Sequence, residues 1–456
     1  MIPQAILYLL IMLAAICFWF LVCRRPIYEG VIISFVILVA LSGTWGEIGN
    51  FLASAMNTSL LYSMVAFVAM SQVLTKTKIV DNCVKIIIAL LGRIPGGAGY
   101  ASIIASSFMG ALSGSGPGYV MATGTITIPA MKKTGFPPEL AANVESTSSY
   151  LGNMIPPSAN IVAALGAYLA FAPDSNMTTG QFWVVCWGLA LWFIAARVIQ
   201  LFVFCLRYKI KPMDKADIPS LRSSLKEGWT GLLLPVIILL PFVLDSVFNS
   251  TFITERLGAA GAKNFSSSLL VFVAGIAAFY GILAAKDKSV KNVKAIVNIF
   301  AKGVKGLAPI VATCIFGYAI GELFEYINAS EQLMVVFDAL NLGRVALCFI
   351  IPLLTCFVTM VIPGSSVTVM FGTVFIGLFA SAGVDPLLVA AMLPCMCGVM
   401  CGITPPFALG MYAGMSIAES DFDKTLKNDL WWVAVQYIME VLILLGGGVW
   451  LPILGL

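Results

Sequence analysis

The chain contains no histidine among its 456 residues and few charged residues, which make up only 11% of it. Without histidine, the sequence excludes general-base catalysis by an imidazole, a Ser-His intramembrane protease and any metal site that needs histidine ligands. The low charge excludes a soluble globular domain, in which about a quarter of the residues are charged. Since 60% of the residues are hydrophobic, we expect an integral membrane protein that is not an enzyme.

The 11 cysteines form no CxxC pair. The closest group is Cys395, Cys397 and Cys401, which lies in an apolar run, so we expect these residues to be small buried side chains rather than metal ligands. The first apolar segment, residues 4–23, lacks a basic start and a small-residue cleavage site. It is therefore expected to be a retained helix and not a signal peptide.

Many segments reach the roughly 20 apolar residues that span a bilayer. They predict an all-α polytopic membrane protein with ten crossings and two amphipathic interfacial segments. The interfacial segments are residues 79–93 and 286–305. The predicted crossings are residues 4–23, 27–43, 51–75, 137–170, 181–206, 231–248, 269–285, 307–324, 387–417 and 430–451.

Two further apolar segments are interrupted in the middle and predict re-entrant hairpins. Residues 96–131 are split by the stretch GALSGSGPG at 110–118, and residues 345–380 are split at 363–366. Arms of about 16 residues are too short to cross a bilayer. Two of the crossings also carry a proline-rich break, near residues 152–158 and near 404–406.

These interruptions recur at one spacing. Ser115 and Ser365 are 250 residues apart, Pro138 and Pro386 are 248 apart, and Pro156 and Pro405 are 249 apart. Landmarks at a constant offset indicate a duplicated half. We therefore predict a first repeat in residues 1–206, a polar cytoplasmic linker in 207–228 and a second repeat in 229–456.

The basic residues orient this arrangement. With the N-terminus outside, 22 of the 26 Lys and Arg residues lie on the cytoplasmic side, and the exceptions are Arg197, Arg256, Lys263 and Arg344. This satisfies the positive-inside rule. Five crossings per half give the second half the opposite orientation, so the repeats are predicted to be inverted, with both termini exterior.

A helix broken at bilayer depth frees backbone dipoles that lipid cannot satisfy, and transporters use such dipoles to bind ions and anions. Glycine lets backbones approach closely, and serine hydroxyls add oxygen ligands. A Gly/Ser patch is also common where membrane helices simply pack. The candidate residues are Ser113, Gly114, Ser115 and Gly116 at the first tip, Pro363, Gly364, Ser365 and Ser366 at the second, and Asn153, Ser158 and Thr404 at the breaks.

Few charges fall inside the predicted spans, and such residues are functional candidates. They are Glu145, Asp245, Glu322, Glu325 and Arg197. The three at predicted outer ends can face water, and Arg197 is expected to extend toward the cytoplasmic interface. The repeats carry no paired buried carboxylates, which favours Na⁺ over proton coupling.

Three stretches together resemble the large membrane subunit of the tripartite ATP-independent periplasmic (TRAP) transporters, of the ion transporter superfamily. They are residues 110–115, 128–136 and 152–158, and residues 383–386 and 404–406 match motifs of the second half. Residues 229–238 resemble the central helix of that family. The likeness covers roughly residues 60–448.

The resemblance implies an elevator-type, Na⁺-driven importer of carboxylates such as C4-dicarboxylates in a bacterial inner membrane. It also implies two partners, a periplasmic substrate-binding protein and a small four-helix membrane subunit. By motif match, one Na⁺ site would involve Ser113, Ser115, Gly152, Ile155 and Pro156, with Pro157 beside them. The other would involve Gly364, Ser366, Gly402 and Thr404, with Pro405 and Pro406 beside them.

The chain departs from the family pattern at residues 252–268 and at Cys401, which stands where Gly152 stands in the first break. Three alternatives remain open. A stand-alone Na⁺/dicarboxylate symporter would show Ser-Asn-Thr at both tips, a Na⁺/H⁺ exchanger would carry paired buried carboxylates, and an intramembrane enzyme would in most cases need histidine.

The orientation can be tested by cysteine labelling or reporter fusions at Lys215 and Ser175. We expect Lys215 to be cytoplasmic and Ser175 to be exterior, because the basic residues flank the cytoplasmic ends of the spans. A cytoplasmic Ser175 would contradict both the topology and the inverted repeat.

Overall fold

The computed structural model describes residues 4–446 apart from positions 58, 78, 114–115, 176, 286, 330–331, 333–334, 336–342, 361–362 and 406–407. All regular secondary structure in this described part is helical, which confirms the predicted all-α class. The helices of the first half are α1 (Gln4–Cys17), α2 (Ile27–Ser42), α3 (Ile48–Asn57), α4 (Ser59–Thr77), α5 (Ile79–Leu91), α6 (Gly97–Ser113), α7 (Gly116–Lys133), α8 (Pro138–Leu151), α9 (Ala159–Phe171) and α10 (Thr179–Tyr208).

The second half begins after the polar linker. Its helices are α11 (Leu221–Phe248), α12 (Thr254–Ala284), α13 (Val293–Tyr326), α14 (Arg344–Thr359), α15 (Gly364–Ser381), α16 (Pro386–Leu393), α17 (Leu409–Ala418) and α18 (Phe422–Gly446). The prediction of separate segments at 286–305 and 307–324 was wrong, because residues 293–305 and all of 307–324 belong to the continuous 34-residue helix α13.

Local sequence signals account for several helix starts. The Thr178 hydroxyl accepts a hydrogen bond from the Gln181 backbone amide, and the Gln181 side-chain oxygen accepts one from the Thr178 backbone amide. This pair of bonds is a capping box at the start of α10. Asp385 Oδ1 accepts from the Leu387 amide at 2.7 Å and caps α16. Such caps satisfy amide groups that a helix start leaves without an intrahelical partner.

Six of the described helical segments are long and apolar enough to cross a membrane. They are Pro138–Phe171, Thr179–Tyr208, Leu221–Asp245, Ala260–Ala284, Gly364–Ser381 and Phe422–Gly446. Two other predicted crossings coincide with the shorter apolar helices Gln4–Phe20 and Tyr28–Ser42. The chain is thus a polytopic membrane protein.

Burial separates inner helices from outer ones. In the apolar windows of Pro138–Phe171 and Gly364–Ser381, 72% and 78% of the residues are buried, against 28% in Leu221–Asp245. Exposed apolar side chains such as Val236, Val243 and Phe279 lie on α11 and α12. Since lipid accepts apolar surface, these outer faces are suited to the bilayer, while the interrupted helices form the protein interior.

The interrupted segments of the two halves interlock. Helices α6 and α7 pack against each other, as do α14 and α15. The re-entrant hairpins stay a prediction, and α15 is itself long and apolar enough to cross a membrane, unlike the short arm that was predicted there. Each half also packs a helix against the other half: α17 of the second half packs on α7 and α8, and α9 of the first half packs on α15 and α16. We call α6–α9 together with α14–α17 the interlocked body. The inverted orientation of the repeats stays a prediction.

Close backbone contacts hold this body together at glycines. A Cβ atom added to Gly110 would lie 2.0 Å from the Ser149 carbonyl oxygen, and one added to Gly152 would lie 2.3 Å from the Ala111 amide nitrogen. Hairpin helix α6 therefore touches the end of α8 backbone to backbone. No larger residue fits at either position without moving a helix.

This contact predicts that Gly110→Ala strongly destabilises the protein, by about 1–3 kcal/mol or more, because a backbone carbonyl has to move. Gly275 is the matched control, since it is exposed in α12 and an added Cβ would meet nothing within 4 Å. Gly275→Ala should leave the apparent melting temperature in detergent unchanged or slightly raised. Equal melting temperatures for the two variants would refute the close packing of α6 on α8.

Candidate functional site

The first break lies in the buried interior. Helix α8 ends at Leu151, a short 3₁₀ turn covers Gly152–Met154, and Ile155 is extended. Ser158 then starts α9, and its hydroxyl accepts from the Asn160 amide at 3.2 Å. All residues from Gly152 to Ser158 are buried. The carbonyl end of α8 and the amide end of α9 therefore sit next to each other, and they attract cations and anions respectively.

The second break has a longer irregular stretch. Helix α16 continues as a π-helical segment, Pro394–Val399, and a 3₁₀ turn, Met400–Gly402, before α17 begins at Leu409. Thr404 is 3% exposed, and its hydroxyl donates to the Met400 carbonyl at 2.7 Å. Of the predicted residues here, Pro406 lies outside the described residues. The break thus begins about ten residues before the Thr-Pro-Pro motif that predicted it.

The hairpin tips are described only in part. Helix α6 ends at Ser113 and α7 begins at Gly116, while Gly114 and Ser115 lie outside the described residues. At the second tip Pro363 precedes α15, and the Ser366 amide donates to its carbonyl at 3.0 Å. Ser366 is buried at 4% exposure, and Ser365 is half-buried.

The second tip touches the second break. A Cβ atom added to Gly364 would lie 2.2 Å from the Cys397 carbonyl oxygen. Cys401 interacts with the Gly364 backbone and donates its thiol to the Gly398 carbonyl at 3.2 Å. The contact therefore involves Cys397–Cys401, the segment that immediately precedes the predicted partner Gly402. In the first half the contact is at Gly110, one turn before the predicted tip.

The two breaks meet each other, which the sequence did not indicate. The Asn153 side-chain amide donates to the Gly398 carbonyl at 2.6 Å and so joins them directly. Beside this bond the Tyr150 ring is held between two glycines. Added Cβ atoms at Gly402 and Gly410 would lie 1.8 and 2.3 Å from its carbons. Asn153, proposed from the sequence as a ligand, thus contributes to holding the breaks together.

Asn160 is a functional candidate that the sequence interpretation missed. It lies in the first turn of α9, is 7% exposed, and its Oδ1 atom has no hydrogen-bond partner among the described residues. A Cβ atom added to Gly398 would lie 2.9 Å from Asn160 Nδ2, so the side chain also reaches the second break. The sequence feature that could have identified Asn160 is its position two residues after Ser158, the N-cap residue of the helix that follows the first break.

Two cavities lie where the interlocked body meets the outer helices. Pro156 and Pro157 line an apolar cavity of about 190 Å³ that also contacts α5, α10 and α11. A smaller cavity of about 110 Å³ lies between α9, α13 and α15, with Tyr318, Glu322 and Glu325 on its wall. The body is therefore packed less densely along its sides than in its centre.

Glu145 is fully buried and satisfied as a carboxylate. It lies on α8 and accepts only from hydroxyl groups of α6, α7 and its own helix. Oε1 accepts from Thr123, from Ser106 at 2.7 Å and from Ser149 at 3.3 Å. Oε2 accepts from Ser102 at 2.6 Å and from Thr127 at 2.5 Å. Five donors can stabilise a buried negative charge, and they tie the first hairpin to the first broken helix.

The other charged candidates have local partners. Asp245 is buried at 1% exposure and accepts from Ser266 at 2.6 Å and from Asn249 at 2.9 Å. Glu322 accepts from Ser54 at 2.6 Å, and Glu325 is exposed. These contacts account for Asp245 and Glu322, and exposure accounts for Glu325, without a bound ligand.

The expectation that Arg197 extends to the interface was wrong. It is 1% exposed and donates inward to the Trp432 carbonyl at 3.2 Å and to Gln436 at 2.9 Å. The same face of α18 carries two buried carboxylates that the sequence analysis overlooked, Asp429 and Glu440. The protein therefore does contain two buried carboxyl groups on one helix, so their expected absence no longer favours Na⁺ over proton coupling.

No group of three or more Cys, Asp or Glu residues in the described part of the chain could hold a metal ion. Cys395, Cys397 and Cys401 are buried, as predicted.

Comparison with solved structures supports the transporter fold. The chain superimposes on the YdaH transporter of Alcanivorax borkumensis with a TM-score of 0.64 and 18% identity, covering 91% of this chain and 89% of the other. For MtrF of Neisseria gonorrhoeae, described as one of a class of antimetabolite efflux pumps, the TM-score is 0.62 at 15% identity, with 90% and 83% covered. At these identities the likeness concerns the fold alone.

Sequence comparison identifies the family. The C4-dicarboxylate TRAP transporter large permease protein of Vibrio cholerae is 24% identical over 409 residues, covering 86% of each chain. The sialic acid TRAP large permease of Vibrio cholerae is 22% identical, with 91% and 90% covered. The ectoine/5-hydroxyectoine large permease of Ruegeria pomeroyi is 20% identical, with 88% of each covered.

Residues 5–448 match the family described as the DctM component of the tripartite ATP-independent periplasmic transporters. The match covers nearly the whole chain, including both hairpins and both breaks. The chain therefore belongs to the DctM family and is the large, multi-pass permease subunit of a TRAP transporter in a bacterial inner membrane.

Proposed function

We propose that this permease imports carboxylate-type organic anions by coupling their uptake to Na⁺ entry. The observation that carries the proposal is the meeting of the two buried breaks at the bond between Asn153 and Gly398. Each break brings a helix carbonyl end and a helix amide end to the protein centre. The carbonyl ends suit Na⁺, and the amide ends of α9 and α17 suit a carboxylate.

The oxygen groups near the centre fit this division. Asn160 Oδ1 is buried without a partner, and a Na⁺ ion would supply one. No His, Cys or carboxylate cluster competes for the ion within the described residues. A site made of neutral oxygens binds a monovalent cation weakly enough to release it, as a transport cycle requires.

The proposed motion is that of an elevator. The interlocked body would move as a unit against the outer helices α4, α5 and α10–α13. Its backbone contacts at Gly110 and Gly364 support rigid-body movement, and the two cavities along its sides mark looser contact with the outer helices.

The substrate class follows from the relatives and not from a site. Their names assign C4-dicarboxylates, sialic acid and ectoines, which all carry a carboxylate group. We propose the same two partners for this chain, a periplasmic binding protein that delivers the substrate and a small membrane subunit that completes the outer surface.

Na⁺ coupling predicts that uptake into proteoliposomes containing the whole transporter, with its binding protein outside, increases with an inward Na⁺ gradient. Uptake should continue when only the proton gradient is dissipated, since the central site has neutral oxygens. A radiolabelled dicarboxylate is the first substrate to measure. Equal uptake with K⁺ in place of Na⁺, or a strict requirement for a proton gradient, would contradict Na⁺ coupling.

The two asparagines at the centre should respond differently to substitution. Asn160→Leu removes an oxygen, Oδ1, that accepts no hydrogen bond in the described structure, so the melting temperature should be nearly unchanged. If this oxygen binds Na⁺, the Na⁺ concentration for half-maximal uptake should rise about tenfold, the equivalent of ~1.4 kcal/mol. Asn153→Leu removes the direct bond between the two breaks and leaves the buried Gly398 carbonyl with only the weak thiol donor of Cys401, so it should lower stability by about 1 kcal/mol. Wild-type Na⁺ dependence in Asn160→Leu would rule out this residue as a ligand.

A further inference from the structure

Two buried glutamates of this chain have opposite surroundings. Glu145 accepts from five hydroxyl groups on three helices. Glu440, which is 0% exposed on α18, accepts on Oε1 from Gln436 Nε2 and from the Cys395 thiol, both at 3.2 Å, and its Oε2 has no partner among the described residues. An ionised carboxylate is well satisfied in the first environment and poorly satisfied in the second.

The nearby cation does not neutralise Glu440 directly. Arg197 donates to the Trp432 carbonyl and to Gln436, and it forms no ion pair with Glu440 or Asp429, both of which are within its Coulombic reach. The buried cluster therefore contains one fixed positive charge and two carboxyl groups, and Asp429, like Glu440, has one oxygen without a partner among the described residues. Unless one further positive charge is present, it carries a net negative charge away from water, which is strongly unfavourable.

A bound proton is a better source of the further positive charge in this cluster than a bound metal ion. Asp429 lies 11 residues before Glu440 on α18, a separation of about 16 Å along the helix, so the two carboxyl groups cannot share one ion. A thiol, a carboxamide donor and one carboxyl group are a poor ligand set for Na⁺, which needs several oxygens. A neutral carboxyl group requires none of these.

We propose that Glu440 is a proton-binding site of this permease, at which the gain or loss of one proton changes the contact between α18 and the second break. The link is short, because the Cys395 thiol that donates to Glu440 belongs to the π-helical segment Pro394–Val399. Gln436 reinforces it by donating to the Cys395 sulfur at 2.7 Å and to Glu440 at 3.2 Å.

The titratable and charged groups around Glu440 come from four elements. Arg197 faces it from α10, and Asp429 and Tyr437 lie on α18 itself. Cys395 and Cys397 face it from the second break, and Cys356 from α14. Arg197 is the sole cation in this set, and the two acids outnumber it. The site is also separate from the proposed Na⁺ ligands, none of which contacts Glu440 in the described structure.

Infrared difference spectroscopy on the purified permease tests the proposal without any transport. Wild-type protein, titrated from pH 5 to pH 9, should lose the C=O band of a protonated carboxyl group. Glu440→Gln, which keeps the size and hydrogen-bonding shape of the neutral group, should lack that band. A band that persists unchanged in Glu440→Gln would overturn the proposal.

Asp429→Asn is the matched control, because it removes the other buried carboxyl group of the same helix. It should retain the Glu440 band, and loss of the band in this variant alone would place the proton on Asp429 and contradict the proposal. Melting temperatures establish that each variant is folded, and Glu440→Gln should be as stable as the wild type at pH 5. A large loss of stability at pH 5 would indicate that Glu440 is ionised, again against the proposal.

The proton site also bears on the transport function proposed above but does not depend on it. In the whole transporter, Glu440→Gln should flatten the dependence of uptake rate on pH between 6 and 8 while keeping the Na⁺ dependence. A wild-type pH profile in Glu440→Gln would overturn the link to the second break. Failure of Na⁺ coupling in the wild type would instead overturn the proposed function and leave the infrared result standing.

Discussion

Backbone polar groups inside a membrane have no water to bind, so a helix that breaks there has to satisfy its freed groups within the protein. In this permease the requirement is met where the two broken helices cross. The Asn153 side chain donates to the Gly398 carbonyl at 2.6 Å, and Gly152, Gly364, Gly402 and Gly410 allow neighbouring backbones and the Tyr150 ring to come close. Much of the remaining architecture positions or encloses this crossing.

The interlocking of the halves follows from this constraint. Each broken helix is covered partly by its own half and partly by the other half. Each half therefore packs its second helix segment, α9 or α17, against the hairpin and the broken helix of the other. The result is a single body with a buried polar centre and looser, partly hollow sides toward the outer helices.

The buried charges show how the environment of a side chain determines its role. Five hydroxyl groups around Glu145 make its carboxylate a structural link between α6, α7 and α8. Glu440 accepts on one oxygen from Gln436 and the Cys395 thiol, while its other oxygen has no partner among the described residues, and burial with so few donors is the basis for proposing a neutral carboxyl group there. Two residues of one type thus serve different purposes because their donors differ in number.

The sequence by itself determined the class of the protein, both interrupted hairpins, both breaks and the family. Those features are local, since a proline pair or a Gly/Ser stretch inside an apolar run interrupts a helix wherever the run is placed. It did not determine which groups meet at the centre. The contact of Asn153 with Gly398, the free oxygen of Asn160, the inward direction of Arg197 and the burial of Asp429 and Glu440 depend on packing between residues up to 245 positions apart. Only the tertiary structure decides these contacts. The sequence around a polar residue on an apolar helix is the same whether that face of the helix contacts lipid, water or another helix.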